Sequence, residues 1–131
     1  MDSLTNQYVD VQLEKELNAF SVKFLGFVTL DQFKEIVDFE FDLVSRHQLK
    51  KCIIDLRQIP TYDIGMPEHV KEVWFPTASK LGLKHVAFIV PEAVLGKMSM
   101  KRAHDDGEVI AGMNVAHFDN FDDGLNWLKN R

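Results

Sequence analysis

Two segments near the start of the chain alternate apolar and polar residues. They are YVDVQLE at 8–14 and AFSVKFLG at 19–26, with the four residues KELN between them. A period of two residues is typical of a strand that is buried on one face only. The pattern therefore predicts an antiparallel β-hairpin at the N-terminal end of the chain.

Four later segments repeat their apolar residues with helical spacing. Thr29 and Gln32 form a capping box before a helix that should run to about His47. A second helix is predicted from near Pro67 to Gly82. The third should be capped by Ser99, and the residues expected to share its packed face are Met100, Ala103, Gly107 and Ile110. The fourth is NFDDGLNWLKNR, at residues 120–131.

Short continuous apolar runs separate these helices. KCIIDLR, HVAFIVP and NVAHFDN are typical of strands covered on both faces. The predicted order is β-β-α-β-α-β-α-β-α, which implies right-handed crossovers. We expect an α/β fold over residues 1–131, a single domain with a mixed, mostly parallel sheet, an N-terminal antiparallel hairpin and about four helices.

The first two helices carry more apolar surface than one sheet face requires. Phe39 and Leu43 lie beside the main apolar stripe of the first helix, and Trp74 and Phe75 follow each other on the second. Such residues form either an exposed surface for a partner or a second copy, or a second layer of core; the sequence leaves both readings open. Pro76 should kink or break the second helix, because it removes one backbone hydrogen bond.

Composition narrows the class of partner. Acids outnumber bases 20 to 15 and the formal charge is −5, which argues against binding to nucleic acid. No apolar segment approaches the ~20 residues that cross a bilayer, and the start of the chain does not resemble a signal peptide, so we expect a cytoplasmic protein without membrane insertion. The lone cysteine, Cys52, is interpreted as a small core residue.

Residues 55–65 (DLRQIPTYDIG) hold the best candidates for a binding site. In open α/β sheets ligands bind beyond the carboxyl ends of the strands, and Asp55, Arg57, Tyr62 and Asp63 lie there. The Arg57 guanidinium could orient a polar ligand. The alternative is that Asp55 and Arg57 pair with each other or cap nearby backbone.

Other chemistry has little support in the sequence. The single glycine of this loop, Gly65, does not make a phosphate-binding turn, and the five histidines lack metal-ligand spacing. No nucleophile motif occurs, and HDDGE at 104–108 is interpreted as a solvated face. We therefore expect no catalytic residue, no metal and no cofactor.

Three segments of the sequence resemble a known protein family. The I-D-L after the central run, VKEVWFPTASKLGLKHVAFIVPEAV and HFDNFDDGLNWL are similar to small bacterial STAS-like proteins of the anti-sigma-factor-antagonist or STAS/SEC14 type. The resemblance implies a non-enzymatic regulatory domain. Antagonist members carry a phosphorylated serine directly after the position of Asp63, where this chain has Ile64. Thr61 and Tyr62 are hydroxyls near that position, but not at it.

Two functions follow as hypotheses. The first is a non-catalytic STAS-like regulatory or protein-interaction module that lacks the phosphorylatable serine and binds a protein partner or forms a homodimer. The second is the binding or sensing of a small lipophilic molecule, which needs an apolar cavity of roughly 300 Å³ or more. An enzyme is the least supported class, because no nucleophile, base and orienting group can be assembled.

Overall fold

The computed structural model describes residues 2–104 and 109–131. Within these residues the chain forms a seven-stranded mixed sheet with four helices. The strands are β1 Ser3–Thr5, β2 Val9–Glu14, β3 Ala19–Phe24, β4 Lys51–Asp55, β5 His85–Ile89, β6 Val109–Ile110 and β7 Met113–Phe118. The helices are α1 Leu30–His47, α2 over residues 66–80, α3 Val94–Ala103 and α4 Phe121–Lys129. Lys15–Leu17 adds one 3₁₀ turn between β2 and β3.

The sheet has the predicted mixed topology. Its strand order is β1-β2-β3-β4-β5-β7-β6. The central pairs β3-β4, β4-β5 and β5-β7 are parallel, whereas β1-β2, β2-β3 and β6-β7 are antiparallel. The α/β class, the hairpin and the helix number are therefore confirmed. The two short edge strands, β1 and β6, were not predicted, because two or three residues carry no readable period.

Local sequence signals set the start of α1. The Thr29 hydroxyl accepts the Gln32 amide at 3.2 Å, and the Gln32 side chain accepts the Thr29 amide at 2.9 Å. This is the predicted capping box, which satisfies two of the helix's free N–H groups. The helix ends at His47, after which Gln48 takes a left-handed conformation.

Helix α2 passes through Pro76 without a break. It consists of an α-helical turn Met66–His69, a π-helical turn Val70–Trp74 and an α-helical segment Phe75–Lys80. The Phe75 amide bonds to the Val70 carbonyl, five residues back. Of the predicted kink or break, the break does not occur, because the wider π-helical turn ahead of Pro76 accommodates a nitrogen that cannot donate a hydrogen bond.

The start of α3 also differs from the prediction. The helix begins at Val94, so Ser99 lies in its middle rather than at its cap, and Ile110 belongs to β6. Gly107 lies outside the described residues. The face of α3 that packs inward consists of Gly96, Ser99, Met100 and Ala103.

The helices cover the two sheet faces unequally. On the first face, one row across the strands reads Val11, Val22, Ile54 and Phe88, all buried in the main core with residues of α1, α2 and α3. On the second face, the row Gln12, Ser21, Ile53 and Ala87 changes from polar to apolar. Helix α4 packs on the apolar half, where Leu128 is fully buried beside Ile53. The polar half, on the hairpin, has no helix over it among the described residues.

Candidate functional site

Asp55 and Arg57 form an ion pair at the carboxyl end of β4. The Asp55 side chain is 3% exposed and accepts Arg57 Nη2 at 2.7 Å and Nε at 3.0 Å. The Arg57 backbone amide bonds to the same carboxylate at 3.1 Å. Hydrogen bonding to Asp55 raises the pKa of the Arg57 guanidinium. The alternative that the two residues pair with each other is therefore confirmed.

This ion pair borders a groove on the open half of the second face. The groove near Arg57 measures about 410 Å³, and a neighbouring groove of about 690 Å³ continues between the hairpin and α4. Strand register places Lys23 between Asp10 and Asp55 on the same face. Opposite charges on adjacent strands attract each other. The floor near Arg57 is thus a ladder of alternating charges open to solvent, whereas the neighbouring groove is lined in part by apolar side chains, among them Leu13, Ile53 and Leu125.

Tyr62 and Asp63 point to different parts of the molecule. The Tyr62 side chain is buried in the main core, and burial raises the pKa of its hydroxyl. Asp63 Oδ2 accepts the Leu30 amide at 2.7 Å, and Oδ1 accepts the Ile64 amide at 2.9 Å. Asp63 therefore holds its own turn and the start of α1. The four predicted site residues do not form one site.

The predicted interaction surface on the first two helices is corrected by the structure. Leu43, Trp74 and Phe75 are 0%, 3% and 1% exposed. The Trp74 ring lies 5.1 Å from Phe75 and 6.2 Å from Phe88, centroid to centroid. Phe39 is half-buried against the same core. These side chains form a second layer of core, because α1 and α2 lie next to each other on the first sheet face.

A different set of apolar side chains is exposed. Ile64, in the loop after β4, is 92% exposed, and Val94, Leu95 and Met98 on α3 are 72%, 63% and 58% exposed. We call these four residues the edge cluster, because both segments follow the carboxyl ends of β4 and β5. The α3 part of the cluster was not predicted, because the third helix was expected to start only at Ser99. The small residues Gly96, Ser99 and Ala103 at helical spacing were the available signal.

The loop after β4 is firmly seated on α3. The Ser99 hydroxyl lies 3.3 Å from the Thr61 hydroxyl and 3.4 Å from the Tyr62 amide. A Cβ atom at Gly96 would come within 2.6 Å of the Ile59 carbonyl oxygen, so the glycine permits this close approach. The edge cluster is therefore carried by packed backbone.

A buried acid lies in the core beside Trp74. Glu40 of α1 is 1% exposed and accepts the Trp74 indole N–H at 2.9 Å. Burial raises the pKa of Glu40 to about 8, so its carboxyl group is neutral at pH 7. Glu40 was not among the predicted site residues, although it stands three residues after Val37 and three before Leu43 within an apolar stripe.

Two histidines meet near this acid. His104 Nδ1 and His117 Nε2 are 2.8 Å apart, and the His117 ring stacks on Phe88 at 5.4 Å. Burial, with a smaller effect of His117, lowers the pKa of His104 to about 3. In residues 2–104 and 109–131 no three ligand-type side chains cluster as a metal site. Of the predicted solvated face HDDGE, residues 105–108 lie outside the described residues.

The remaining predictions concern the cysteine and the membrane. Cys52 is fully buried, as predicted, and burial raises the pKa of its thiol. In the part of the chain that the structure describes, no helix is long and apolar enough to cross a membrane.

Comparisons with protein-family models, with curated proteins and with solved structures return no match. The STAS-like resemblance therefore stays a prediction from the residues.

Proposed function

We propose that the protein is a non-catalytic interaction module of the STAS-like kind, and that it binds a protein partner through the edge cluster. The observation that carries this proposal is the exposure of Ile64, Val94, Leu95 and Met98 at one edge of the sheet. Exposed apolar residues scattered singly are ordinary, but several on adjacent segments mark an interaction surface. Their loop and helix are already packed, so binding costs little ordering of the backbone.

Charge on α3 defines the chemistry of the partner. Lys97, Lys101 and Arg102 are exposed on this helix, and α3 contains no acidic residue. A matching partner presents apolar side chains flanked by Asp or Glu. An isologous dimer through this face would oppose like charges, and the net charge of −5 disfavours an anionic membrane.

The position of the edge cluster agrees with the resemblance. Ile64 stands where antagonist members carry the phosphorylated serine, and it cannot accept a phosphate. Binding by this module is therefore constitutive, and we expect a kinase to leave this position unchanged.

The second function, binding of a lipophilic molecule, has weaker support. The cavity within the core measures about 30 Å³, and the larger groove between the hairpin and α4 is open to solvent. Pockets for small organic ligands hold roughly 300 Å³ or more. If native mass spectrometry finds a co-purified organic molecule, binding of a lipophilic molecule becomes the preferred function over protein interaction.

The test is a peptide selection with a matched variant. A random peptide library is selected on the wild-type protein, and recovered peptides are measured against Leu95→Asp/Met98→Asp. We expect sequences rich in aliphatic and acidic residues whose binding weakens with salt and is lost in the variant. Equal binding to both proteins would overturn the proposal.

Two further measurements test whether a second copy of the chain or a lipid surface, rather than a protein partner, binds the edge cluster. Sedimentation should give the monomer mass of 15.1 kDa. A dimer that the double substitution dissociates would identify a second copy as the occupant. Flotation with anionic vesicles should leave the protein unbound, and wild-type flotation abolished by the substitutions would identify a lipid surface. Either result contradicts a protein partner of opposite charge.

A further inference from the structure

Basic side chains gather at the amino ends of β4 and β5, beside the last turn of α4. Lys51 and His85 are register partners on these two parallel strands, and neighbouring strands lie about 4.8 Å apart. The Lys51 ammonium donates to the Leu128 carbonyl at 3.0 Å. The His85 ring lies 6.2 Å from the Trp127 ring, centroid to centroid. Both side chains therefore reach the same turn of α4.

Two further cations lie around this pair. The guanidinium carbon of Arg131 is 4.6 Å from the centroid of the Trp127 ring. Lys84 directly precedes His85 and is exposed. We call these four residues the basic cluster: Lys51, Lys84, His85 and Arg131. Burial, and then the charges of the three other members, lower the pKa of His85, so all three cations act on this ring.

The positive charge of the basic cluster is not balanced by ion pairs within the described residues. There, none of Lys51, Lys84 and Arg131 pairs with an acid. In the same row of the sheet Glu14 lies two strands away from Lys51, across Ala19. The carboxyl end of α4 carries a charge of about −0.5, which the contact from Lys51 offsets. Two permanent cations remain without a counter-charge.

His85 adds a neutral donor beside these cations. Its Nδ1 lies 3.2 Å from the side-chain nitrogen of Asn114. An amide nitrogen only donates, so Nδ1 accepts and Nε2 carries the ring proton. The lowered pKa keeps the ring neutral at pH 7. The cluster thus offers ammonium, guanidinium and imidazole N–H donors to an anion.

The charge of the cluster selects the class of anion. A carboxylate carries one negative charge, whereas a phosphate monoester carries about −1.5 to −2 at pH 7 and has three strong acceptor oxygens. Hydrogen bonds from charged donors to phosphate are among the strong ones in proteins. We propose that the basic cluster is a binding site for the phosphate group of a small, soluble phosphate monoester.

A small ligand suits this surface better than a nucleic acid or a membrane. Helix α4 has nine residues and is about 13.5 Å long, and its other end carries Asp122 and Asp123. Charges more than about 8 Å apart are largely screened at physiological ionic strength. A small anion therefore meets only the basic cluster. An extended polyanion would also meet the acids of a chain whose formal charge is −5.

Nuclear magnetic resonance at constant ionic strength tests the site, with glycerol phosphate as the probe. The probe should shift the Trp127 indole N–H signal saturably and leave that of Trp74, in the main core, unchanged. It should also raise the pKa of His85, because a bound dianion favours the protonated ring. If either Trp127 or His85 fails to respond in folded protein, the proposal is overturned. An equal response to acetate would also contradict a phosphate site.

A charge reversal inside the cluster is compared with one outside it. Lys84→Glu should weaken binding of glycerol phosphate by about tenfold. Lys34→Glu, the same change at an exposed lysine of α1, should leave binding unchanged. Equal weakening by both would show that only net charge matters, which contradicts the site. Vesicles containing phosphatidic acid should not float the protein. Flotation that Lys84→Glu abolishes would assign the phosphate to a lipid and contradict a soluble ligand.

Discussion

Helices α1 and α3 each depart from the usual rule that apolar side chains are buried and charged side chains are exposed, and they do so in opposite ways. α1 buries an acid, Glu40, within the core, whereas α3 exposes Val94, Leu95 and Met98 to solvent. Burying an ionisable group costs free energy unless it stays neutral and hydrogen-bonded. Exposing an apolar side chain costs folding almost nothing. The first departure should therefore appear in stability, and the second only in binding.

The largest effect is expected from removing the buried acid. Glu40→Ala leaves the Trp74 indole N–H unpaired and enlarges the cavity, so it should lower the free energy of unfolding by about 3 kcal/mol. Glu40→Gln keeps an acceptor for Trp74 and should cost clearly less. Urea denaturation measures both. Equal losses would show that the hydrogen bond to Trp74 contributes nothing.

The next effect is a loss of stability at alkaline pH. The pKa of Glu40 is raised from 4.5 to about 8, so the folded state keeps a proton that the unfolded chain releases above pH 4.5. Stability from Glu40 therefore falls as the pH rises from 4.5 to 8. His104, with its pKa lowered from 6.5 to about 3, acts in the opposite direction below pH 6.5.

These opposing contributions largely cancel between pH 4.5 and 6.5. Above pH 6.5 only that of Glu40 remains, so the wild type should lose about 2 kcal/mol up to pH 8, since one pH unit is worth about 1.4 kcal/mol. Denaturation midpoints across this range measure the loss. Glu40→Gln should be flat from pH 6.5 to 8, and a parallel decline in that variant would assign the effect to another group.

A smaller effect is expected where α3 meets the loop. Gly96→Ala places a Cβ 2.6 Å from the Ile59 carbonyl oxygen and 2.8 Å from Pro91, and should cost about 1–3 kcal/mol through overpacking. Gly26→Ala is the matched control, because nothing lies within 4 Å of its added atom. Thermal unfolding of the two variants compares them. A tolerated Gly96→Ala would mean that the loop is not tightly seated on α3.

The smallest effect on stability is expected at the edge cluster. Leu95→Asp/Met98→Asp should change the free energy of unfolding by no more than about 0.5 kcal/mol per site, because surface substitutions rarely exceed this. Urea denaturation at pH 7 measures it. A loss comparable with that of Glu40→Ala would place these side chains in the core and remove the contrast between the two helices.

Local signals in the sequence predicted the helices and strands better than they predicted contacts between distant residues. The capping box of Thr29 and Gln32, the alternation of the hairpin and the apolar run of β4 depend on adjacent residues, and each prediction was confirmed. The predicted helix cap at Ser99 is wrong, because the Ser99 hydroxyl contacts the Thr61 hydroxyl, far away in sequence, instead of a helix N–H group.

Burial that depends on distant contacts was not predictable. Phe75 is a core residue because Phe88, far away in sequence, packs against it. Glu40 had a local signal, its place in an apolar stripe, but its neutral state follows from the surrounding core. The edge cluster required the correct start of α3, which no cap residue at Ala93 indicates.

The most direct test of the proposed interaction surface is the affinity of the selected peptides for the wild-type protein and for Leu95→Asp/Met98→Asp, measured at pH 7 with both proteins folded. Central residues of an interface each contribute more than about 1 kcal/mol, so the double substitution should weaken binding by at least about tenfold. Unchanged affinity in a folded variant would contradict the edge cluster as the binding surface.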